Sequence, residues 1–240
     1  MGFFDFDSPF MNFLTTAVEY MLVSLLCVLF SLPIFTAGAA ITSSYYVGMK
    51  IIRGEESGFF KSYIKGFKEN FKQSTVIWLI ELAVGCFLAY DWFLIYKNGI
   101  ENYNRVLIIL LLIVTVYFVF AALAIFALIA RFEMSTKEAV KGALAYTYVN
   151  IPRMLFILIL TIFPTVASIK YPNWLVAIWP IGSAACLYII SYNYSKSFKK
   201  LELHVQGLDE ETEDIVESEA EASETAENVA LVDETENFSK

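Results

Sequence analysis

Histidine is almost absent from this chain. His204 is the only one, and it lies beyond the last long apolar stretch. That excludes histidine-based zinc sites and Ser–His catalysis inside the apolar body. Cysteine is scarce as well: Cys27, Cys86 and Cys186 each sit within an apolar segment, and an odd number so placed argues against a disulfide framework. No H-E-x-x-H, G-x-S-x-G or phosphate-cradling glycine loop occurs. The chain is therefore read as non-enzymatic, with no metal and no cofactor. Charge is thin, at 18% of residues, and from residue 106 to 130 there is none. The start, MGFFDFDSPF, lacks the basic n-region of a cleavable secretion signal.

What fills the chain is hydrocarbon. It is 58% hydrophobic, with a mean hydropathy of +0.58, too apolar for an ordinary soluble domain. The run VLIILLLIVTVYFVFAALAIFALIA between Arg105 and Arg131 contains no proline or glycine. As a helix it is about 37 Å long, enough to cross a bilayer core of about 30 Å. Lipid restricts spanning segments to helices or closed barrels, since backbone groups find no water there. The expected fold is an all-α integral membrane protein, a six-span helical bundle with cytoplasmic interfacial helices.

Spans are expected at about 12–32, 36–52, 75–96, 105–130, 153–169 and 174–192. The first two arise because the only charge between Ser8 and Met49 is Glu19, and 42 residues make about 63 Å of helix, twice a bilayer core. A reversal is needed, and Pro33, Thr36 and Gly38 mark it. The rival topology has five spans plus a re-entrant segment. Helix 36–52 is rich in Ala, Gly, Ser and Thr, which suits the interior of the bundle. Pro164 and Pro180 are expected to kink the last two spans.

Orientation follows from lysine and arginine. Segment 50–73 carries Lys50, Arg53, Lys61, Lys65, Lys68 and Lys72, and segment 131–153 carries Arg131, Lys137, Lys141 and Arg153. Both fall on one side of six spans, as do Lys196, Lys199 and Lys200. Both termini are then cytoplasmic. Trp92, Tyr96, Tyr171 and Trp174 gather at the opposite boundary, where amphipathic rings settle. Residues 1–204 form the transmembrane domain. Residues 205–240, with 13 acidic groups against one lysine, read as a disordered acidic cytoplasmic tail.

Segment 59–72 places Phe60, Ile64, Phe67 and Phe71 on one stripe, with Lys61, Lys65, Lys68 and Lys72 beside it. This reads as a basic helix lying in the interface, with the lipid bilayer rather than nucleic acid as its partner. Arg53-Gly-Glu55 and Lys61-x-x-x-Lys65-Gly66 are echoed by Arg131-Phe-Glu133 and Lys137-x-x-x-Lys141-Gly142, which suggests a duplicated unit of span, interfacial helix and span.

Glu19 and Glu81 are the most expensive residues to place. A carboxylate at the centre of a span costs on the order of 2.5–3.5 kcal/mol, so it needs a partner, water or a proton. Both are expected at shallow cytoplasmic depth, within reach of Lys50 or Arg53. They are candidates for an ion or substrate site, or for a structural ion pair. Tyr45 and Tyr46, with Thr42, Ser43 and Ser44, either line a sugar path or bond between helices. Asp91 reads as a solvated interface residue.

The hairpin Ser31-Leu-Pro-Ile-Phe-Thr36-Ala-Gly38-Ala-Ala40, the exit Arg53-Gly-Glu55-Glu56, Phe67-Lys-Glu-Asn70-Phe71, Arg131-Phe-Glu133 and Pro152-Arg153 together resemble the YesL-like family of bacterial polytopic membrane proteins. The resemblance covers roughly residues 3–203. It implies a protein of the inner (cytoplasmic) membrane that serves carbohydrate uptake, often encoded beside genes for oligosaccharide breakdown, with a sugar ABC permease as the candidate partner. It carries no catalytic residue onto this chain. A small transporter built on the duplicated unit, and a membrane scaffold recruiting a soluble partner through the tail, are the alternatives.

Overall fold

A computed structural model describes residues 9–55, 58–170 and 175–205. Among these, seven α-helices and two short 3-10 turns form, and no strand. The helices are α1 (Pro9–Ser31), α2 (Ala37–Ile52), α3 (Phe59–Asn98), α4 (Arg105–Arg131), α5 (Thr136–Val149), α6 (Ile151–Lys170) and α7 (Leu175–Val205). The acidic tail past Val205, and residues 171–174 of the expected break with Tyr171 and Trp174 among them, lie outside the described residues. By contact the chain divides into two compact units, Met1–Tyr194 and Ser195–Lys240; the bundle is the first, and the described residues of the second are helical.

Three helices among the described residues are long and apolar enough to cross a membrane: Met11–Ser31, Phe59–Asn98 and Arg105–Arg131. A fourth crossing arises if α5 and the first part of α6 count as one broken span, bent by 102°. Large apolar side chains stand exposed along these helices, among them Leu25 and Leu29 of α1, Phe87 and Phe93 of α3, and Leu110 and Ile113 of α4. Apolar faces this extended are untenable in water and ordinary against lipid.

The centre belongs to α2, which packs on α1, α3 and α4. Its sixteen residues make about 24 Å of helix, and ten of them are buried, among them Gly38, Ala39, Ala40, Ser43 and Val47. Lipid supplies no hydrophobic drive between helices, so close backbone approach has to supply the contact energy. Small residues permit that approach. A Cβ on Gly38 would stand 2.6 Å from the Ser74 carbonyl oxygen and 2.6 Å from the Trp78 Cβ, both on α3. A Cβ on Gly66 of α3 would stand 2.8 Å from the Tyr46 ring on α2.

Segment 59–72 is not a separate interfacial helix. It runs without a break into the following span as one helix of 40 residues, about 60 Å long. Nothing at Lys72-Gln-Ser-Thr75 stops it, since neither proline nor glycine falls there. Nor does its aromatic stripe face lipid alone. Ser62, Tyr63 and Gly66 are buried, and Phe67 meets Phe30 of α1 with ring centroids 4.9 Å apart. The turn after α1 consequently meets α3 near its middle, at Ser74 and Trp78, and twenty residues of α3 continue past it.

The second echo of that unit does break. Pro152 has no N–H and its ring crowds the carbonyl four residues back, so the helix cannot run straight through. Asn150 closes α5 by donating from Nδ2 to the Tyr146 carbonyl at 3.1 Å, and its Oδ1 accepts from Arg153 at 3.1 Å. At its other end α5 opens on a capping box: the Ser135 N–H donates to Glu138 at 2.8 Å, and the Glu138 N–H donates back to the Ser135 hydroxyl at 3.4 Å. The two echoes thus differ, one continuous and one sharply bent.

Candidate functional site

The reversal after α1 is built by its own polar groups. Pro33 begins the 3-10 turn Ile34–Thr36, and the Thr36 hydroxyl lies 2.6 Å from the Phe30 carbonyl and 2.7 Å from that of Pro33. The Trp78 indole N–H donates to the Ile34 carbonyl at 2.7 Å and ties the turn to α3. Pro33, Thr36 and Gly38 therefore act together, as a packed corner against α3.

The hydroxyls of α2 are engaged. Ser43 donates to the Ala39 carbonyl at 2.7 Å and Ser44 to that of Ala40 at 3.0 Å. Thr42 lies 2.9 Å from the Gly38 carbonyl and 2.9 Å from the Ser74 hydroxyl. Of these bonds, the one between Thr42 and Ser74 joins two helices and the others lie within α2. Tyr46 faces Gly66 and carries the Lys50 ammonium 5.5 Å from its ring centroid.

Sequence reasoning passed over a set of tyrosines that grip helix backbones. The Tyr20 hydroxyl donates to the Gly48 carbonyl at 2.6 Å, Tyr63 to that of Ala40 at 3.2 Å, and Tyr194 to that of Leu123 at 2.9 Å. Rings link them onward, with Tyr45 against Tyr194 at 5.7 Å and Tyr20 edge-on to Tyr188 at 5.4 Å. The available signal was position: interface tyrosines sit at span ends, whereas Tyr20 lies inside one, and a buried phenol needs an acceptor.

Arg53 closes on Glu55 through two hydrogen bonds of 2.8 Å, from Nε and Nη2. That hydrogen bonding holds the Glu55 carboxyl below its usual range, and the positive charges of Arg53, Arg131 and Lys50 add to the effect. The C-terminal ends of α2 and α4 therefore lie at one end of the bundle. Glu55 is exposed, so the pair contributes little stability; that little is present above the usual carboxylate range and is lost as acidification protonates Glu55.

Glu81 lies elsewhere. It borders a cleft of about 150 Å³ between α3, α4 and α5, and no ion pair joins it to Lys50 or Arg53. Glu19 is half-buried on α1, beside Tyr20 in sequence, and does not line that cleft. Arg53 is paired with Glu55 rather than with Glu81. Lys61, Lys65, Lys68 and Lys72 are all exposed on α3, and Lys65 approaches Glu69 at 3.9 Å. Among the described residues no three histidine, cysteine or acidic side chains gather as metal ligands would. A second cleft, about 210 Å³, is lined by Ser24, Ser44, Tyr45, Thr161 and Ser183 together with Cys27 and Cys186.

Residues 20–92 match a protein family described as a protein of unknown function, DUF624, the family that contains the YesL-like proteins. The matched segment covers about half of α1, all of α2 and most of α3, which is the packed corner and its supports. No curated protein and no solved structure matches the chain.

Proposed function

We propose that this is a non-enzymatic multi-pass protein of the bacterial cytoplasmic membrane, an accessory to carbohydrate uptake that works beside a sugar ABC permease. The observation that supports an accessory over a carrier is the state of α2. Thr42 meets Ser74 of α3, the Tyr20 and Tyr63 hydroxyls donate to its Gly48 and Ala40 carbonyls, and the close approach at Gly38 packs it on α3. A helix held this way is a fixed core rather than a moving wall. The carbohydrate part rests on the family resemblance alone, which is an associational warrant.

In this reading the chain crosses the membrane six times with both termini in the cytoplasm. The lysine and arginine distribution supports that orientation. The continuous helix α3, about 60 Å long, then projects its lysine-bearing end into the cytoplasm while its remainder crosses, and α5 lies at the inner interface.

One observation favours a small transporter instead: the 210 Å³ cleft with five hydroxyl-bearing residues between α1, α2, α6 and α7. Counterflow of labelled oligosaccharide into liposomes holding only this protein separates the two. The accessory reading predicts no uptake, together with co-purification of an ABC permease from crosslinked native membranes. Saturable counterflow would overturn it. A scaffold acting through the acidic tail predicts instead that deleting 205–240 abolishes the cellular uptake phenotype.

A further inference from the structure

Glu81 is a carboxyl without a counter-ion. On α3 it faces a cleft to which α4 contributes Phe118, Ala122 and Ile125, and α5 contributes Val140, Ala143 and Leu144. Of the eleven residues that line the cleft, Glu81 alone carries a titratable or charged group, so neither α4 nor α5 presents one to it. No ion pair or hydrogen bond to its side chain is found among the described residues. The nearest turns of α3, at Ile77, Ile80 and Val84, are apolar too.

This arrangement restricts what can bind. A carboxylate in such a cleft would be a bare charge in hydrocarbon, which membranes strongly disfavour. A hard metal cation would keep its charge and needs about six oxygen ligands, whereas the cleft offers the two of one carboxyl. A lipid ammonium group would need acceptors beyond that single carboxyl. A proton needs only the carboxyl, and it removes the charge.

We propose that Glu81 is a proton-binding site of the bundle, kept as the neutral acid while α5 stays packed on α4 as the far wall of the cleft and ionised only when α5 moves away and admits water. Helix α5 is joined to α6 across a 102° bend at Asn150 and to α4 by the short stretch 132–135, and the Tyr117 hydroxyl of α4 donates to its Leu144 carbonyl at 2.7 Å. The side chains it contributes to the cleft are apolar. Proton release and undocking are then one coupled equilibrium, and each drives the other. The proposal is independent of sugar uptake: it holds for an accessory or for a carrier.

The test uses the full chain in liposomes and an apolar reagent, dicyclohexylcarbodiimide. A neutral carboxylic acid adds its O–H across one C=N bond of the carbodiimide. The resulting O-acylisourea rearranges by acyl transfer from oxygen to nitrogen, giving a stable N-acylurea. The whole reagent is retained and no co-reactant is consumed. The modified residue is located by peptide mass spectrometry. The expected result is labelling of Glu81 at neutral pH, loss of that label as pH is raised, and little label from a water-soluble carbodiimide. In parallel, a cysteine placed by Ala143→Cys, at a buried position lining the cleft, should gain maleimide reactivity over the same rise in pH beyond what thiolate ionisation alone gives, and the added change Glu81→Gln should leave only the ionisation effect. Absence of label at neutral pH, equal labelling by the water-soluble reagent, or the same excess rise in Ala143→Cys reactivity with Glu81→Gln would each overturn the proposal. The wild-type labelling stands even if the variants fold poorly.

Discussion

Replacing Gly38 by valine is expected to leave almost no folded protein in detergent extracts, and Gly38→Ala to lower the thermal midpoint clearly. The first added carbon already falls 2.6 Å from a backbone oxygen of α3 and 2.6 Å from the Trp78 Cβ, with the Phe126 ring of α4 at 3.1 Å. Two of these three neighbours cannot swing away, because one is backbone and one is attached directly to it. Overpacking of this kind typically costs about 1–3 kcal/mol, and more where nothing can yield. The damage would spread, because separating α2 from α3 also lengthens the Thr42–Ser74 contact and the bond from Trp78 to the Ile34 carbonyl. Gly85, whose added carbon would meet only the Phe118 ring at 3.8 Å, is the control: Gly85→Ala should be close to neutral in the same assay.

Tyr20→Ala should be the second severe change, and Tyr20→Phe a mild one. The ring is 1% exposed, packs edge-on against Tyr188, and carries a hydroxyl bonded to the Gly48 carbonyl at 2.6 Å. Removing an aromatic ring from a soluble core costs about 3–5 kcal/mol, part of which is transfer from water. That part largely vanishes when the unfolded reference is also in lipid, so the cavity and the lost bond remain, about 2 kcal/mol or more. The phenylalanine variant keeps the volume and forfeits one hydrogen bond, about 1 kcal/mol. Thermal unfolding followed by size-exclusion recovery would rank the three proteins. Equal loss from both substitutions would mean that the bond to Gly48, rather than the ring, holds α1 to α2.

The reach of the sequence can be judged element by element. Helix α4 is expected at 105–130 and found at Arg105–Arg131, because its apolar run is uninterrupted and Asn104 caps it by accepting from the Val106 N–H at 2.9 Å. The α1–α2 reversal was equally readable from Pro33, which acts through local backbone geometry; Gly38 was marked for the wrong reason, since it is helical and its lack of a Cβ serves the close approach of α3. The continuity of α3 was legible and passed over, since no proline or glycine falls between 59–72 and 75–96; what was not legible is that Ser62, Tyr63 and Gly66 pack into the bundle, a contact distant in sequence. Glu81 fails for a related reason. Its cost in lipid is legible from one letter, and a basic partner is the natural expectation. Which residues actually surround it depends on how α5 folds back over α4, and the neighbours prove apolar.

All of this assumes that α3 crosses the bilayer as one continuous helix, with its lysine-bearing end inside. Cysteine accessibility tests that assumption most directly. In a background lacking Cys27, Cys86 and Cys186, single cysteines are placed by Lys61→Cys, near one end of α3, and Glu101→Cys, just beyond the other; both native residues are exposed. These positions avoid Gly54 and Gly99, whose positive φ values of 67° and 84° would strain any side chain. An impermeant maleimide applied to intact cells should label Glu101→Cys at once and Lys61→Cys only after the membrane is permeabilised. Labelling of both from the same side would contradict the account.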